Sequence, residues 1–232
     1  MKNSKNIIKI LSAVVLGTTF TYAGPLKKTP AKLDAKFAAA ELRLEELQAK
    51  PGKAIPSAIL ANAQGIVILR KLKVGLGFGA EAGGGVALVK NNGDWSAPAF
   101  VSASEASWGI QFGAQDSDII MVFMTQKSLD LLRKGGDANV GVEIQATVGP
   151  IDTGADIDTD DLNSQIYVYT DAAGGFAGVA LKAGGIVGAS KKNLTYYGVR
   201  IQEILFSGST PISSKAFRLI SAIEKYSKQV EL

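Results

Sequence analysis

A regular spacing of apolar residues predicts an amphipathic helix near the start of the chain, over residues 32–50. The apolar positions recur every three or four residues and form one stripe, which consists of Leu33, Phe37, Ala40, Leu44 and Leu47. Pro51 and Gly52 then end the helix. The same type of spacing predicts a second, short helix over 55–63 and a final helix over 214–229.

Between these helices the pattern changes to the short apolar runs and alternations that are typical of β-strands. We expect strands over 66–69, 74–80, 86–89, 99–104, 108–113, 119–124, 140–148, 165–170, 175–183 and 194–199, and a short helix over 128–134. Tight turns at 91–93 and 115–118 favour antiparallel neighbours over βαβ crossovers. The predicted fold is therefore a β-rich α+β single domain. Its antiparallel sheets form a sandwich or a barrel-like structure, with an N-terminal amphipathic helix, a short middle helix and a C-terminal helix.

One strand-like segment contains glycine at alternate positions, namely Gly75, Gly77 and Gly79. A period of two places apolar side chains on one face and bare backbone on the other. The bare face admits either a closely packed neighbour or a ligand. A dinucleotide site would need the spacing Gly-x-Gly-x-x-Gly before a helix, whereas another strand follows here. We expect close packing, against the second glycine-rich segment at 174–188.

The first 23 residues have the pattern of a secretory signal. Lys2, Lys5 and Lys9 precede a short apolar run over 10–20, and small residues suitable for cleavage end at Ala23. An uncleaved N-terminal anchor is the alternative. We expect a signal over 1–23, an extended leader over 24–31 and one domain over 32–232. The protein is then exported to the periplasm or secreted, either free or peripheral on a membrane.

Charge is distributed unevenly along the chain. Without the signal segment there are 22 basic and 21 acidic residues, so high net charge gives no reason to expect nucleic acid. Residues 24–74 carry a net charge of +6, residues 75–180 carry −10 and residues 181–232 carry +5. If the two basic ends meet in space, they form a single basic pole.

Two basic clusters are candidate lipid-binding sites. The first precedes and occupies the N-terminal helix, beside its aromatic residue, and consists of Lys27, Lys28, Lys32 and Lys36 with Phe37. Basic residues beside an apolar stripe suit an anionic membrane surface, where each lysine contributes on the order of 1 kcal/mol. The second cluster is Arg70, Lys71 and Lys73. The alternatives are a helix whose stripe packs on the sheet, and a polar hairpin turn at 70–73.

The composition removes several kinds of catalytic and metal chemistry. The chain contains no Cys and no His, which excludes thiol and histidine catalysis and ordinary zinc sites. The acidic run at 152–161 does not fit an EF-hand, since Asp161 and Tyr167 occupy positions that need Gly and Glu. A looser cation site and a solvated acidic loop both remain open there. We expect neither an enzyme nor a bound cofactor or metal.

Several motifs occur in an order that resembles the SYLF domain family, also called the DUF500 type, over roughly residues 35–228. They are Ile55-Pro-x-x-Ile59-Leu-x-x-Ala63-x-Gly65-Ile-Val-Ile, the glycine-alternating strand, Trp95-Ser-x-Pro98-x-Phe100, Gly109-Ile-Gln111-Phe-Gly113, Asp118-Ile-Ile-Met-Val, Gly175-Phe-Ala-Gly178-Val and Tyr196-Tyr-Gly198.

The resemblance implies a lipid-binding module that contacts anionic head groups, phosphoinositide-like in the family, with helix 32–50 as the membrane-contacting segment. The alternative is a structural or protein-interaction domain of the cell envelope, with a protein partner and no lipid. Some family members bind actin, which an exported bacterial protein does not meet.

Overall fold

The computed structural model describes residues 31–76, 79–107, 112–133, 146–148, 165–171 and 186–228. The predicted signal, the leader up to residue 30 and the acidic run at 152–161 lie outside these ranges, as does the strand predicted over 175–183.

The described chain forms six helices and eight strands. The helices are α1 (Ala31–Gln48), α2 (Ser57–Asn62), α3 (Asp130–Arg133), α4 (Ser190–Tyr196), α5 (Ile201–Phe206) and α6 (Ser214–Ser227). The strands are β1 (Gly65–Leu76), β2 (Gly79–Asn91), β3 (Asp94–Trp95), β4 (Ala99–Ser107), β5 (Phe112–Phe123), β6 (Ala146–Val148), β7 (Ile166–Thr170) and β8 (Ile186–Gly188).

The strands form one sheet in the order β6-β7-β5-β1-β2-β4-β8, with β3 paired to the end of β2. Neighbours are antiparallel except for β6 and β7, which are parallel. The predicted α+β single domain is confirmed. The described strands form one open sheet. They are neither closed into a barrel nor divided between the two sheets of a sandwich, which were the two predicted arrangements.

Helices cover both faces of the sheet because its strands are apolar on both sides. On one face, Ile68 and Val86 belong to a core that includes side chains of α1, α2 and α6. On the other face, Leu69 and Ala87 belong to a second core with side chains of α3 and α5. The strand period of two sends neighbouring residues into these different cores. The predicted helices at the two ends of the chain thus share one layer.

The segment of alternating glycines is not a single strand, in contrast to the prediction for 74–80. β1 continues to Leu76, β2 begins at Gly79, and Gly75 pairs with Gly79 across the two strands. Gly75 and Gly79 therefore lie opposite each other, near the end of β1 and at the start of β2. The described part of the segment 174–188 is β8, which pairs with β4, and the rest of that segment lies outside the described residues.

Close backbone packing occurs slightly later, at Gly83 and Gly85 in β2. A Cβ atom at Gly83 would lie 2.6 Å from the carbonyl oxygen of Arg70, and one at Gly85 would overlap the carbonyl oxygen of Ile68. Both oxygens belong to β1, so these two glycines permit the close approach of the neighbouring strand.

Two other predicted elements are wrong. The turn predicted at 115–118 lies inside β5, where Asp118 is opposite Arg70 in the ladder and polar residues mark a strand that extends beyond the apolar core. The strand predicted over 194–199 is instead the end of α4, up to Tyr196, followed by a turn at 197–199. The buried residues Asn193 and Tyr196 of α4 are three positions apart, which is about one helical turn.

Candidate functional site

The apolar stripe of α1 lies in the core of the protein, as the structural alternative in the sequence analysis expected. Phe37 is fully buried. Its ring stacks on Phe100 with the centroids 5.1 Å apart and meets Tyr196 edge-on at 5.4 Å. Phe37 was a predicted lipid contact, but here it is a core residue. To reach a membrane, its side chain would have to leave the sheet.

The first predicted basic cluster is described in part. Lys32 and Lys36 lie on the exposed side of α1, whereas Lys27 and Lys28 fall outside the described residues.

The second predicted cluster does not stay together, because its members alternate along a strand. Arg70 lies on the face of β1 that α1 covers, whereas Lys71 follows it on the opposite face. Lys73 also belongs to β1, but its side chain is outside what the structure describes. Of the predicted residues, Lys36 and Arg70 come together.

These two residues line an open groove of about 540 Å³ between α1 and the sheet. Two further basic residues complete its rim, Arg43 from α1 and Lys192 from α4. We call this site the α1 groove. Its other lining residues are Ala39, Ala40, Leu72, Ala82, Gly83, Gly84, Gly85 and Asp116.

The α1 groove is open because its facing residues are small. Ala39 and Ala40 form the wall on α1, and Ala82 and Gly84 belong to the floor on β2. A Cβ atom at Gly84 would meet nothing closer than 3.4 Å, the carbonyl oxygen of Val101. The packing therefore does not require glycine at this position, unlike at 83 and 85. The missing side chain leaves space in the groove.

Carboxylates hold the two guanidinium groups of the α1 groove in place. Arg43 donates from Nε to Oδ1 of Asp118 at 2.6 Å and from a terminal nitrogen to the carbonyl oxygen of Ala39 at 2.8 Å. Arg70 makes a two-point contact with Asp116, with Nε 2.7 Å from Oδ1. Such bidentate pairs fix the plane of a guanidinium.

A second ionic link anchors the C-terminal end of α1, the helix that forms one wall of the groove. Asp171 accepts a hydrogen bond from the backbone N–H of Asp118 at 2.9 Å. Its other carboxylate oxygen lies 3.4 Å from Nζ of Lys50, just beyond the end of α1. Through these contacts Arg43 is tied to β5 and to the end of β7, so its position depends on the sheet.

The two lysines of the α1 groove differ from its arginines. Neither Lys36 nor Lys192 has an ion pair with any residue in the described ranges. Nζ of Lys192 lies 3.8 Å from the position that a Cβ atom of Gly84 would occupy, so the ammonium group stands over the bare floor. These are the charges that a ligand would neutralise.

The two basic ends of the sequence meet in space, which was the condition for a basic pole. α1 and α6 pack against each other on the same face of the sheet. Arg218 of α6 contacts Glu41 of α1 at 3.2 Å. Exposed lysines occur on both helices, including Lys32 on α1 and Lys215 on α6.

Sequence reasoning missed two basic residues of the site. Arg43 had a detectable signal, because Lys36, Ala39, Ala40 and Arg43 have the spacing of one helical face. Two cations flanking two alanines on a single face predict a narrow basic surface. Lys192 had no comparable signal, since its place depends on how α4 packs beside β4.

Neither a metal site nor a membrane-spanning helix is found in the part of the chain that the structure describes. No group of three or more acidic side chains there is arranged to hold a cation. None of the described helices combines the length and the apolar character that crossing a bilayer requires.

Comparison with known proteins identifies the family. The sequence profile of the Ysc84 family, described as "Las17-binding protein actin regulator", matches residues 104–226, more than half of the chain. The human SH3 domain-containing YSC84-like protein 1 is 28% identical over 207 residues, which are 86% of this chain and 60% of that protein. Its Xenopus laevis counterpart is 28% identical over 187 residues, 78% of this chain and 56% of that protein.

A fungal relative is more distant. Protein YSC84 of Saccharomyces cerevisiae is 25% identical over 175 residues, which are 73% of this chain and 37% of the yeast protein. The chain thus spans 56–60% of the two vertebrate relatives' length and less of the yeast protein. Together with the ordered motifs, the profile match shows that this chain belongs to the Ysc84 family, whose domain is the SYLF domain.

Proposed function

We propose that this chain is a non-catalytic module that binds anionic phospholipid at a membrane surface. The observation that carries the proposal is the packing of α1 and α6 in one layer, where both basic ends of the sequence expose lysines. Lysines near an anionic surface contribute about 1 kcal/mol each, so a few of them acting together give measurable binding.

The mode of binding is electrostatic. The stripe of α1 that a membrane-inserting helix would use is already buried, with Phe37 and Leu44 fully covered. Attraction between exposed charges is screened over about 10 Å at 0.1 M salt. Binding through this surface should therefore weaken steeply as salt is added.

We also propose that the protein is exported and meets its lipid in the cell envelope. The support is the basic start, the short apolar run over 10–20 and the small residues that end at Ala23. In that location neither actin nor nucleic acid is an expected partner.

Vesicle co-sedimentation tests the membrane proposal. The purified protein should sediment with vesicles of phosphatidylcholine and phosphatidylglycerol at low salt, but not with phosphatidylcholine alone. The double variant Lys32→Gln/Lys215→Gln should sediment less. Its matched control is Lys127→Gln/Arg200→Gln, which removes two exposed charges near α3 and α5, on the other face of the sheet. Equal sedimentation with neutral vesicles, or none with anionic vesicles at low salt, refutes the proposal.

A protein partner is the second candidate function. It is favoured by the family description and by the name of a yeast relative, LAS seventeen-binding protein 3, of which this chain matches 32%. In this case the exposed lysines of α1 and α6 would contact an acidic protein of the envelope. Native mass spectrometry of protein purified from its own envelope separates the two functions. A stoichiometric protein partner without lipid favours the second, and a retained phospholipid favours the first.

A further inference from the structure

The α1 groove has a charge balance that selects one kind of anion. Its four cations, Lys36, Arg43, Arg70 and Lys192, face two carboxylates, Asp116 and Asp118. The arginines are each paired with a carboxylate, which leaves an excess of two positive charges, those of the lysines. A phosphate monoester carries about −1.5 to −2 charges at pH 7 and matches this excess, whereas a phosphodiester carries one.

The paired arginines retain hydrogen-bond donors for such an anion. A guanidinium has five N–H donors. Arg43 and Arg70 each use two of them in their contacts with the described residues. Asp118 and Asp116 hold the two guanidinium groups in position. The remaining N–H groups of Arg43 and Arg70 therefore need little reordering to bind a ligand.

The shape of the α1 groove adds a second requirement. A volume of about 540 Å³ is within the usual range for small organic ligands, roughly 300–1,000 Å³, and exceeds what a lone phosphate group needs. Leu72, with 47% of its surface exposed, and the alanines of α1 provide an apolar lining beside the charges. The ligand therefore has a compact organic part attached to its charged end.

We propose that the α1 groove binds one phosphate monoester, with the phosphate between Lys36 and Lys192 over Gly84 and the organic part along Leu72. The monoester is either a soluble molecule or the head group of a lipid such as phosphatidic acid. In the lipid case the inference rests on the proposed function, because it specifies which head group that membrane module prefers.

The first experiment measures the affinity of the purified protein for glycerol 3-phosphate by isothermal titration calorimetry, with dimethyl phosphate as the diester control. Vesicles of phosphatidylcholine with either phosphatidic acid or phosphatidylglycerol form the lipid arm. We expect preference for the monoester in at least one arm. A response in the soluble arm alone identifies a free ligand, and a response in the vesicle arm alone identifies a lipid.

Substitutions of single lysines test whether the monoester binds in the α1 groove. Lys36→Gln and Lys192→Gln should each weaken monoester binding about tenfold or more, the usual effect of removing a hydrogen bond to a charged group. Lys127→Gln and Lys191→Gln are the controls, since each removes an exposed lysine outside the groove. They should change the affinity less than about twofold, because salt screens an exposed charge that does not contact the ligand.

A variant that fills the floor tests the groove without changing its charge. Gly84→Leu places a side chain in the open space beneath Lys192 and should abolish monoester binding. Thermal melting tests whether this variant folds. If the variant does not fold, the lysine variants, whose substitutions lie on the surface, still decide whether the groove is the site.

Several results would overturn the inference: no monoester binding in either arm, equal affinity for monoester and diester, or an effect of Lys191→Gln equal to that of Lys192→Gln. The membrane proposal fails separately. Binding of glycerol 3-phosphate without sedimentation on any anionic vesicle rejects the membrane module and retains the groove. Sedimentation on phosphatidylglycerol vesicles without any monoester preference retains the membrane module and rejects monoester binding in the groove.

Discussion

Replacing Phe37 by alanine distinguishes a core helix from a membrane-inserting helix. If α1 is part of the core, Phe37→Ala reduces stability and leaves the vesicle binding of the folded protein unchanged. If the stripe of α1 inserts into lipid, the same change reduces vesicle binding. The structure predicts the first outcome because Phe37 has no exposed surface.

The expected loss of stability is large. Truncating a buried phenylalanine to alanine costs about 3–5 kcal/mol. Phe37 also loses its stacked contact with Phe100 and its edge contact with Tyr196, and each aromatic pair contributes about 0.5–1.5 kcal/mol beyond area burial. We therefore expect a value in the upper half of the range, about 4–5 kcal/mol. For a domain of this size that lowers Tm by on the order of 10 °C.

Urea unfolding followed by tryptophan fluorescence measures this loss. The matched control is Leu42→Ala on the same helix, where 53% of the side chain is exposed, and it should change the free energy of unfolding by less than about 0.5 kcal/mol. The reasoning is refuted if Phe37→Ala costs less than about 1 kcal/mol, well below the range for a core phenylalanine. It is also refuted if the folded variant sediments less with anionic vesicles than the parent protein.

Three further changes test individual parts of the structure by urea unfolding. Gly85→Ala should cost about 1–3 kcal/mol, because its Cβ atom would overlap a carbonyl of the facing strand, whereas Gly84→Ala should cost less than about 1 kcal/mol; equal effects would contradict the packing described here. Asn193→Ala should cost about 3 kcal/mol, since the buried amide both donates to and accepts from the backbone of β4, while the exposed Asn62→Ala should cost far less. Burial lowers the pKa of Lys90 below its usual 10.5. Between the lowered pKa of the folded protein and 10.5, the unfolded chain therefore binds more protons than the folded chain. The stability of the parent protein therefore rises with pH through that window relative to Lys90→Met, which has no charge at this position. The free energy of unfolding of the parent minus that of Lys90→Met should increase with pH. A constant difference would show that Lys90 is not desolvated.

The elements with a strong apolar period were predictable from the sequence. α1 and α6 follow their stripes, and Ala216, Leu219 and Ile223 are buried as the spacing of the final helix indicated. The antiparallel pairing of most strands also followed, because a tight turn such as the one at 91–93 leaves no room for a crossover helix.

The lengths of the central strands were not predictable by the same reasoning. β1 and β5 continue past the apolar core, where Arg70 is opposite Asp118 and Leu72 is opposite Asp116 in the ladder. A run of polar residues at that point has the local appearance of a turn. The partners that stabilise it as a strand are more than forty residues away in sequence, as the contact between Arg70 and Asp116 illustrates.

The candidate site was predictable only to the extent that one helix face carries it. Lys36 and Arg43 share a face of α1, so their proximity follows from the helical period. Arg70 joins them because β1 lies beneath α1, and Lys192 joins them because α4 packs beside β4, with Asn193 bonded to its backbone. These two placements depend on the order of strands in the sheet, which no local pattern determines.

The three consecutive glycines of β2 show why composition alone does not separate packing from binding. At Gly83 and Gly85 a side chain would meet the backbone of β1, so these positions are fixed by the approach of the neighbouring strand. At Gly84 a Cβ atom would lie 3.4 Å from the carbonyl oxygen of Val101 and 3.8 Å from the ammonium of Lys192, which are ordinary contact distances. Substitution at 84 can therefore change the depth of the groove while the sheet keeps its register. The depth of the groove beneath Lys192 is consequently set by position 84, independently of the neighbouring glycines that hold the two strands together.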